Sequence, residues 1–232
     1  MIGVVPEYKA FREHLAQNSE KIASLQLLSR IEDYLTKEFA GLILSRSQGA
    51  TLPLLNFGKK ADERRIDMAL VDGSIADGID KTKLSIWGFI EVKYLRNRHR
   101  FGTANAEDEH SEVFRSLHKQ LRRMEAGEPF AGYNVRLRGG KGDTYGLVFA
   151  SHVCRAKEAT EQSRKAFLQK IVGSGKSHGF KTHNFKTPKL TEVYSDVPVR
   201  LLKAEYAVSL YVGLWRLDPD EACTCGCSSN ET

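Results

Sequence analysis

The sequence predicts a single α/β domain, because strand-like segments and amphipathic helices alternate along its 232 residues. Residues 86–93 are apolar, β-branched and aromatic up to an abrupt Glu-Val-Lys, a pattern typical of a buried strand. Residues 64–73 alternate as a half-buried strand does, and residues 145–150 form an apolar core strand. A chain of this length can bury one substantial core, and two full domains would be cramped. We therefore expect one domain over residues 1–217.

Composition and charge narrow the class of protein. Hydrophobic content of 41% and charged content of 28% are ordinary for a globular protein, and the formal net charge is +6. This basic excess is compatible with a polyanionic partner without requiring one. No apolar run approaches the length of a membrane span, and residues 1–7 lack the features of a signal peptide. We expect a cytoplasmic protein.

The four cysteines do not suggest a disulfide framework. Three of them, at positions 223, 225 and 227, are too closely spaced and one ligand short for an ordinary structural zinc site. We expect residues 218–232 to form a disordered tail.

Two predicted strands carry acids where acids are unusual. Glu91 and Lys93 lie two residues apart, so they share one face of their strand while Val92 points to the other. Burying these charges is costly unless they pair or hold a metal, and a cross-strand ion pair remains the simpler alternative. Asp67 lies in the middle of the preceding strand, and Asp72-Gly73 then favours a turn. A hairpin of the two strands would let Asp67 and Glu91 converge on one cation.

A helix is predicted over about residues 20–39, with Gly41 as its stop signal. Its apolar stripe contains an acid, Glu32, at helical spacing; Glu38 lies one face over and is the alternative candidate. Glu32 could also be a residue at the wetted edge of the stripe. The stripe itself consists of Leu25, Leu28, Leu35 and Phe39.

A second helix is predicted over residues 107–124, with acids in its first turn and basic residues in its last. Gln120 lies in its apolar stripe with Val113, Leu117 and Met124. Gln120 is either a functional residue or a solvated side chain. Further along, the sequence predicts a helix over residues 158–172 and strands over residues 193–199 and 204–217.

Several basic residues flank the predicted acidic strands. A short strand at residues 42–45 is expected to lead into a polar loop with Arg46, which could contact phosphate. A basic run that follows Lys93 could do the same, although such runs are commonly solvated loops. The candidate nucleic-acid contacts in these regions are Arg46, Arg64, Arg96, Arg98 and Arg100.

A short tandem repeat over residues 176–186 sets Lys176, Lys181 and Lys186 around two phenylalanines. Basic residues alternating with aromatic ones can follow a phosphate backbone while stacking on bases, so residues 173–190 are predicted to be a basic loop. A flexible surface loop without a ligand is the alternative. Residues 173–177, Gly-Ser-Gly-Lys-Ser, are not a phosphate-binding P-loop, because position 170 is Lys where that motif requires Gly.

The arrangement of Asp67 and Glu91-Val92-Lys93 resembles the PD-(D/E)xK nuclease superfamily, in the expected strand order. Ile66 stands where the superfamily pattern has Pro. The resemblance implies a mixed central β-sheet flanked by helices, a restriction-endonuclease-like core over about residues 20–155.

The resemblance also implies a site and a reaction. Asp67, Glu91 and the Val92 carbonyl would bind Mg²⁺, or Mn²⁺ in its place, and Glu32 would reach the ion through water or serve a second ion. Lys93 would orient the attacking water or stabilise developing charge, and Gln120 would help to orient the water or a ligand.

The implied protein is a metal-dependent endonuclease acting on duplex or branched DNA, and such enzymes commonly work as homodimers. The alternative is a non-catalytic nucleic-acid-binding or assembly module that retains the fold.

Overall fold

A mixed β-sheet forms the centre of the computed structural model, with eight strands in the described part of the chain, and helices pack against it. The structure describes residues 4–27, 31–57, 66–73, 85–97, 106–126, 136–137, 143–182, 185 and 187–217. The helices are α1 (Val4–Gln17), α2 (Ser19–Gln26), α3 (Ile31–Ser47), α4 (Ala106–Glu125) and α5 (Glu161–Ser177). The strands are β1 (Thr51–Phe57), β2 (Ile66–Asp72), β3 (Ser85–Arg96), β4 (Arg136–Leu137), β5 (Asp143–Arg155), β6 (Phe180–Thr182), β7 (Thr191–Leu201) and β8 (Ala204–Leu217).

The sheet has the order β1-β2-β3-β5-β8-β6. β3 and β5 are parallel, whereas β1–β2, β2–β3 and β5–β8 are antiparallel. β7 pairs with the first part of β8, and the two-residue β4 pairs in parallel with the start of β3. β3 and β5 therefore terminate at the same end of the sheet, where β2 and β8 begin. We call this the carboxyl end.

Two hydrophobic clusters lie on the two faces of the sheet. One cluster joins α1, α2 and α3 to the sheet and includes Phe11, Phe39 and Ile90. The other joins α4 and α5 to the opposite face and includes Phe114 and Trp215. Strand β5 contributes to both clusters, which explains why its sequence is apolar almost without interruption. The α/β class and the mixed sheet flanked by helices are as the sequence predicts.

The predicted helix over residues 20–39 is wrong in its boundaries. Two helices occupy this region, α2 ending at Gln26 and α3 running from Ile31 past Gly41 to Ser47. Ile43 continues the four-residue spacing of Leu35 and Phe39 and is equally buried, so core packing outweighs the weak helix propensity of Gly41. The strand expected at residues 42–45 is therefore wrong.

Strand β1 is not among the strands predicted from the sequence, and it contains a proline. Pro53 is tolerated there since β1 is an edge strand, which pairs within the described chain only with β2. The helix predicted over residues 107–124 is confirmed as α4, and the strand predicted over residues 204–217 is confirmed as β8. β7 extends beyond the predicted residues 193–199 at both ends.

The predicted basic loop over residues 173–190 is wrong in its first part. Helix α5 begins after Thr160, whose side chain accepts a hydrogen bond from Ser163 N, and it continues to Ser177. Residues 173–177 are thus the last turns of a helix, and residues 180–182 are a strand.

None of the helices in the described ranges is long and apolar enough to cross a membrane. The predicted tail, residues 218–232, lies outside the described residues.

Gly173 and Gly175, near the end of α5, have different surroundings. A methyl group at Gly175 would lie 2.5 Å from Trp215 Cζ3, whereas a methyl group at Gly173 would meet no atom within 4 Å. Gly175→Ala should lower the free energy of unfolding by about 1–3 kcal/mol, because the fully buried Trp215 has little room to move. Gly173→Ala should raise it by about 0.5–1 kcal/mol. Urea denaturation of both variants tests this, and equal effects would contradict it.

Candidate active site

Adjacent strands bring Asp67 and Glu91 together. The pairing of Met68 with Ile90 places Asp67 of β2 beside Glu91 of β3, one residue further along. Asp67 Oδ2 accepts a hydrogen bond from Val92 N at 2.8 Å, and Asp67 N donates to Glu91 Oε2 at 3.5 Å. The two carboxylates therefore lie side by side near the carboxyl end of the sheet.

Lys93 completes the group on the same strand face as Glu91. Its Nζ lies 2.7 Å from Glu91 Oε1, and the side chains of Lys93 and Glu91 are 19% and 2% exposed. Glu91 and Lys93 therefore form an ion pair within β3 rather than the cross-strand pair of the simpler alternative, and this pair occupies only one of the two Glu91 oxygens. Val92 points the other way, its side chain fully buried under the α1–α3 layer, so only its backbone is available to a ligand.

Helix α3 contributes Glu32, which lies in the first turn of that helix. Glu32 Oε2 accepts a hydrogen bond at 2.9 Å from the backbone N–H of Tyr94, the residue that follows Lys93. The alternative acid, Glu38, lies elsewhere, since its Oε2 is 3.0 Å from His14 Nε2. Of the two candidates, the structure places Glu32 with the strand acids. No pattern in the sequence indicates that the Tyr94 N–H anchors it.

Helix α4 carries Gln120 over the sheet. Leu117 packs on Gly146 so closely that a methyl group there would lie 3.0 Å from Leu117 Cδ2, and Gly146 is the β5 partner of Glu91. Gln120 lies one turn further along α4, and its Oε1 is buried without a hydrogen-bond partner. Gln120 is thus on the helix that covers the strand beside Glu91, with an acceptor atom that nothing else in the described chain satisfies.

The charges of this site perturb one another. Burial raises the pKa of Glu91 to about 7, with a further upward contribution from Asp67 and an opposing one from Lys93. Burial also raises the pKa of Glu32, against the attraction of Lys93 and the Tyr94 N–H. Burial acts to lower the pKa of Lys93, but the attraction of Glu91, Asp67 and Glu32 outweighs it and raises that pKa. Lys93 is therefore a stable cation here, facing three acids.

The carboxylate oxygens of Asp67 and Glu91 are suitable ligands for a hard divalent cation, but they would fill only part of its coordination shell. Within the described part of the chain, no group of three or more His, Cys, Asp and Glu side chains is arranged to hold a metal ion by itself. Mg²⁺ commonly takes only one or two carboxylates and completes its shell with water and substrate phosphate. Asp67 and Glu91 supply two such carboxylates in a cluster with an excess of negative charge.

The predicted nucleic-acid contacts are not collected in one place. Arg96 is exposed at the end of β3, three residues after Lys93 and on the opposite face of the strand. The prediction that Arg46 lies in a loop is wrong. Arg46 lies in the last turn of α3, and its Nε pairs with Glu7 Oε2 at 2.8 Å. That helix end leads into Thr51, which pairs with Asp72 at the far end of β2 from Asp67, so Arg46 is remote from the site. Arg64, Arg98, Arg100 and Lys186 lie outside the described residues.

The predicted interleaving of lysines with aromatic rings is also only partly present. Lys176 is exposed at the end of α5, and Lys181 is half-buried in β6. Phe180 is buried in the core and cannot stack on a base, whereas Phe185 is half-exposed under Lys189 Nζ, 3.4 Å from the ring centroid. The described residues of the tandem repeat thus belong to a helix end, a strand and the core, and they do not form a continuous surface of alternating lysines and aromatic rings.

No protein-family model, no curated protein and no solved structure matches this chain.

The raised pKa of Glu91 predicts how stability depends on pH. Its value in the unfolded chain is near 4.5, so the folded protein binds this proton more tightly between pH 4.5 and about 7. The free energy of unfolding contributed by Glu91 therefore falls as the pH rises through that window and is constant above it. Glu91→Gln removes this dependence.

Urea denaturation in EDTA at pH 4.5, 6 and 8 measures the effect. The stability of Glu91→Gln relative to wild type should increase from the lowest of these values of pH to the highest. A difference that stays constant across the window would show that Glu91 does not titrate there.

Proposed function

We propose that this protein is a Mg²⁺-dependent phosphodiester hydrolase, a DNA endonuclease of the PD-(D/E)xK type. One observation carries the proposal: Asp67 and Glu91 lie side by side on neighbouring strands, with Lys93 bonded to Glu91. These are the residues that carry the resemblance in the sequence. Glu32, the accessory acid, accepts a hydrogen bond from the backbone N–H of Tyr94, the residue that follows Lys93 in β3.

The energetics of this cluster favour a functional over a structural role. An apolar set of the same size would be as stable as a buried ion pair or more stable, so a buried ion pair contributes little net stability. Here three carboxylates surround one ammonium, and the mutual repulsion contributes to the raised pKa of Glu91 and of Glu32. A divalent cation would relieve that repulsion. Perturbed titratable groups of this kind are concentrated at active sites.

The residues divide the chemistry among them. Asp67, Glu91 and the Val92 carbonyl would hold Mg²⁺, which supplies Lewis-acid stabilisation of the charge on the scissile phosphate. Lys93, protonated because of its acidic neighbours, stabilises the extra negative charge that develops when water attacks phosphorus and the ester P–O bond breaks. Gln120 Oε1, which has no hydrogen-bond partner among the described residues, can accept a hydrogen bond from the attacking water and orient it.

A polyanionic substrate agrees with the charge of the chain. The net charge is +6, and Arg96 is exposed three residues after Lys93. Phosphate contacts from such residues position a nucleic acid without reading its sequence. We therefore propose duplex or branched DNA as the substrate.

A non-catalytic DNA-binding or assembly module is the second candidate. It is favoured by the finding that no three metal-ligating side chains are arranged around one ion within the described residues. Under this alternative, Asp67→Asn would leave function intact and neutralising Lys176 and Lys181 would abolish it.

Cleavage of supercoiled plasmid and of a labelled branched DNA distinguishes the two. With Mg²⁺, Asp67→Asn and Lys93→Gln should each lower the cleavage rate by at least about 100-fold, because the first removes a carboxylate that would hold Mg²⁺ and the second removes the cation that stabilises charge on the reacting phosphate. EDTA should stop the wild type. Glu38→Gln is the matched control, since this acid of α3 pairs with His14 away from the site. Cleavage that survives Asp67→Asn would reject the proposed mechanism.

Gln120 gives a separate prediction. Gln120→Leu should lower the cleavage rate about tenfold by removing the acceptor that orients water. The free energy of unfolding should be unchanged or higher, because the substitution removes a buried atom that lacks a partner. Ser116→Ala, at an exposed position of the same helix, should change neither quantity. A loss of stability parallel to the loss of rate would assign Gln120 a structural role instead.

A further inference from the structure

The turn between β7 and β8 presents a leucine in an unusual way. Leu201 pairs with Ala204, so Leu202 and Lys203 form a two-residue hairpin turn. Leu202 is 90% exposed and has a φ of 55°. Gly, Asn and Asp favour this left-handed region, whereas leucine rarely adopts it.

Leu202 also differs from the other residues with positive φ. Among the described non-glycine residues these are Gln48, Asn56 and Asp196, and all three are polar. A strained, apolar and almost fully exposed residue at a hairpin tip contributes nothing to the core. Local strain of this kind is a reason to look for a function.

The surroundings of Leu202 are basic. An open groove of about 950 Å³ runs beside the hairpin and is lined by Arg155, Lys157, Leu201, Lys203 and Tyr206, among others. Arg155, Lys157 and Lys203 are exposed, as is Arg200 on the neighbouring strand. Two exposed acids, Glu158 and Glu205, lie nearby, and Glu205 is the cross-strand neighbour of Arg200. The patch thus keeps an excess of positive charge around two exposed leucines.

The hairpin lies at the carboxyl end of the sheet, as the candidate active site does. Lys93 pairs with Val148, and β5 continues from there for seven residues to Arg155, which pairs with Tyr206 of β8. At the usual rise of a strand, this separates Arg155 from the level of Lys93 by roughly 23 Å along the sheet. Leu202, at the hairpin tip, lies four residues beyond Tyr206. Exposed Arg96 lies between them, opposite Ser151. A duplex somewhat longer than one turn of about 34 Å has the length needed to span this separation.

We propose that the hairpin tip is a second DNA contact, in which Leu202 inserts against the bases and Arg155, Lys157 and Lys203 hold the flanking phosphates. Apolar wedges bordered by basic residues are a common means by which proteins enter and bend a duplex. The contact would set how far the DNA extends from the site and favour sequences or structures that unstack easily. This inference rests on the proposed function, since it names the way in which the same substrate is held.

Charge complementarity selects DNA over other occupants. Two leucines form too small an apolar area to anchor the protein in a lipid bilayer by themselves. Four exposed basic residues around them match the regular phosphates that border a groove of DNA. A protein partner would be expected to bury a larger apolar patch.

The test uses the full chain and a fluorescently labelled duplex of about 25 base pairs, in EDTA so that no cleavage occurs. Leu202→Asn removes the wedge and suits the left-handed backbone, so the protein should be at least as stable as wild type. Fluorescence anisotropy should show DNA binding that is about five- to tenfold weaker. Leu202→Gly should behave in the same way, which separates loss of the side chain from any effect of Asn.

The basic residues are tested by salt dependence. In Arg155→Gln/Lys157→Gln, the slope of log K against log salt should fall by about one unit for each phosphate that the protein no longer neutralises. The matched controls are Leu44→Asn and Lys9→Gln. Leu44 is an exposed leucine near the end of α3, and Lys9 is close to Glu7, which pairs with Arg46 at that same end of α3. Both controls should bind as wild type does.

Unchanged DNA binding in both Leu202 variants would overturn the proposal. So would binding to phosphatidylserine vesicles that depends on Leu202 while DNA binding does not. Failure of the nuclease proposal and failure of the hairpin proposal give different results: a catalytic failure would show as DNA that is bound through Leu202 but never cut with Mg²⁺. Conversely, cutting that needs Asp67 but is indifferent to Leu202 in both binding and rate would reject the hairpin alone.

Discussion

The ion pair between Glu91 and Lys93, in the interior of β3, is the constraint on which the site depends. Its two charged atoms are 2.7 Å apart, and Glu91 is almost completely buried. A carboxylate in such a place must find partners, because its desolvation is not repaid by one interaction. Asp67 adds a second negative charge from β2, and its Oδ2 is held by the N–H of Val92. The strands thus fix the positions of charges that repel one another.

The parallel pairing of β3 with β5 organises the surroundings of that ion pair. It places Gly146 beside Glu91, and the absence of a side chain there lets Leu117 bring α4 close to the sheet. It also directs both strands to the same end, so that the exposed Arg96 and the basic end of β5 border one surface. Antiparallel β8 then begins at this end, and the hairpin that precedes it is presented there. The register between β3 and β5 therefore sets the positions of the strand acids, of helix α4 and of the β7–β8 hairpin relative to one another.

Elements with a strong local pattern followed from the sequence, and those decided by packing did not. Helix α4 was predictable because its apolar residues recur at helical spacing along its 20 residues, and strand β8 because its 14 residues form a strongly strand-prone run. Helix α3 was not, since Gly41 suggests an end to a helix that Ile43 continues by packing into the core. Gly175 lies in what looks like a turn-rich segment, yet its lack of a side chain serves the close approach of Trp215. A glycine looks the same in the sequence whether it forms a turn or allows two elements to pack closely.

The sequence alone determined which chemical groups are available at the candidate site: an acid within a strand, and a Glu and a Lys two residues apart on the next. Strand geometry has a period of two, so this spacing was enough to put Glu91 and Lys93 on one face. Only the tertiary structure decided that Asp67 lies beside Glu91, and that Glu32 rather than Glu38 joins them. It also decided that Arg46 is turned away toward Glu7. The reason is physical: contacts between residues distant in sequence depend on strand register and helix docking, which the whole core sets and no short segment encodes.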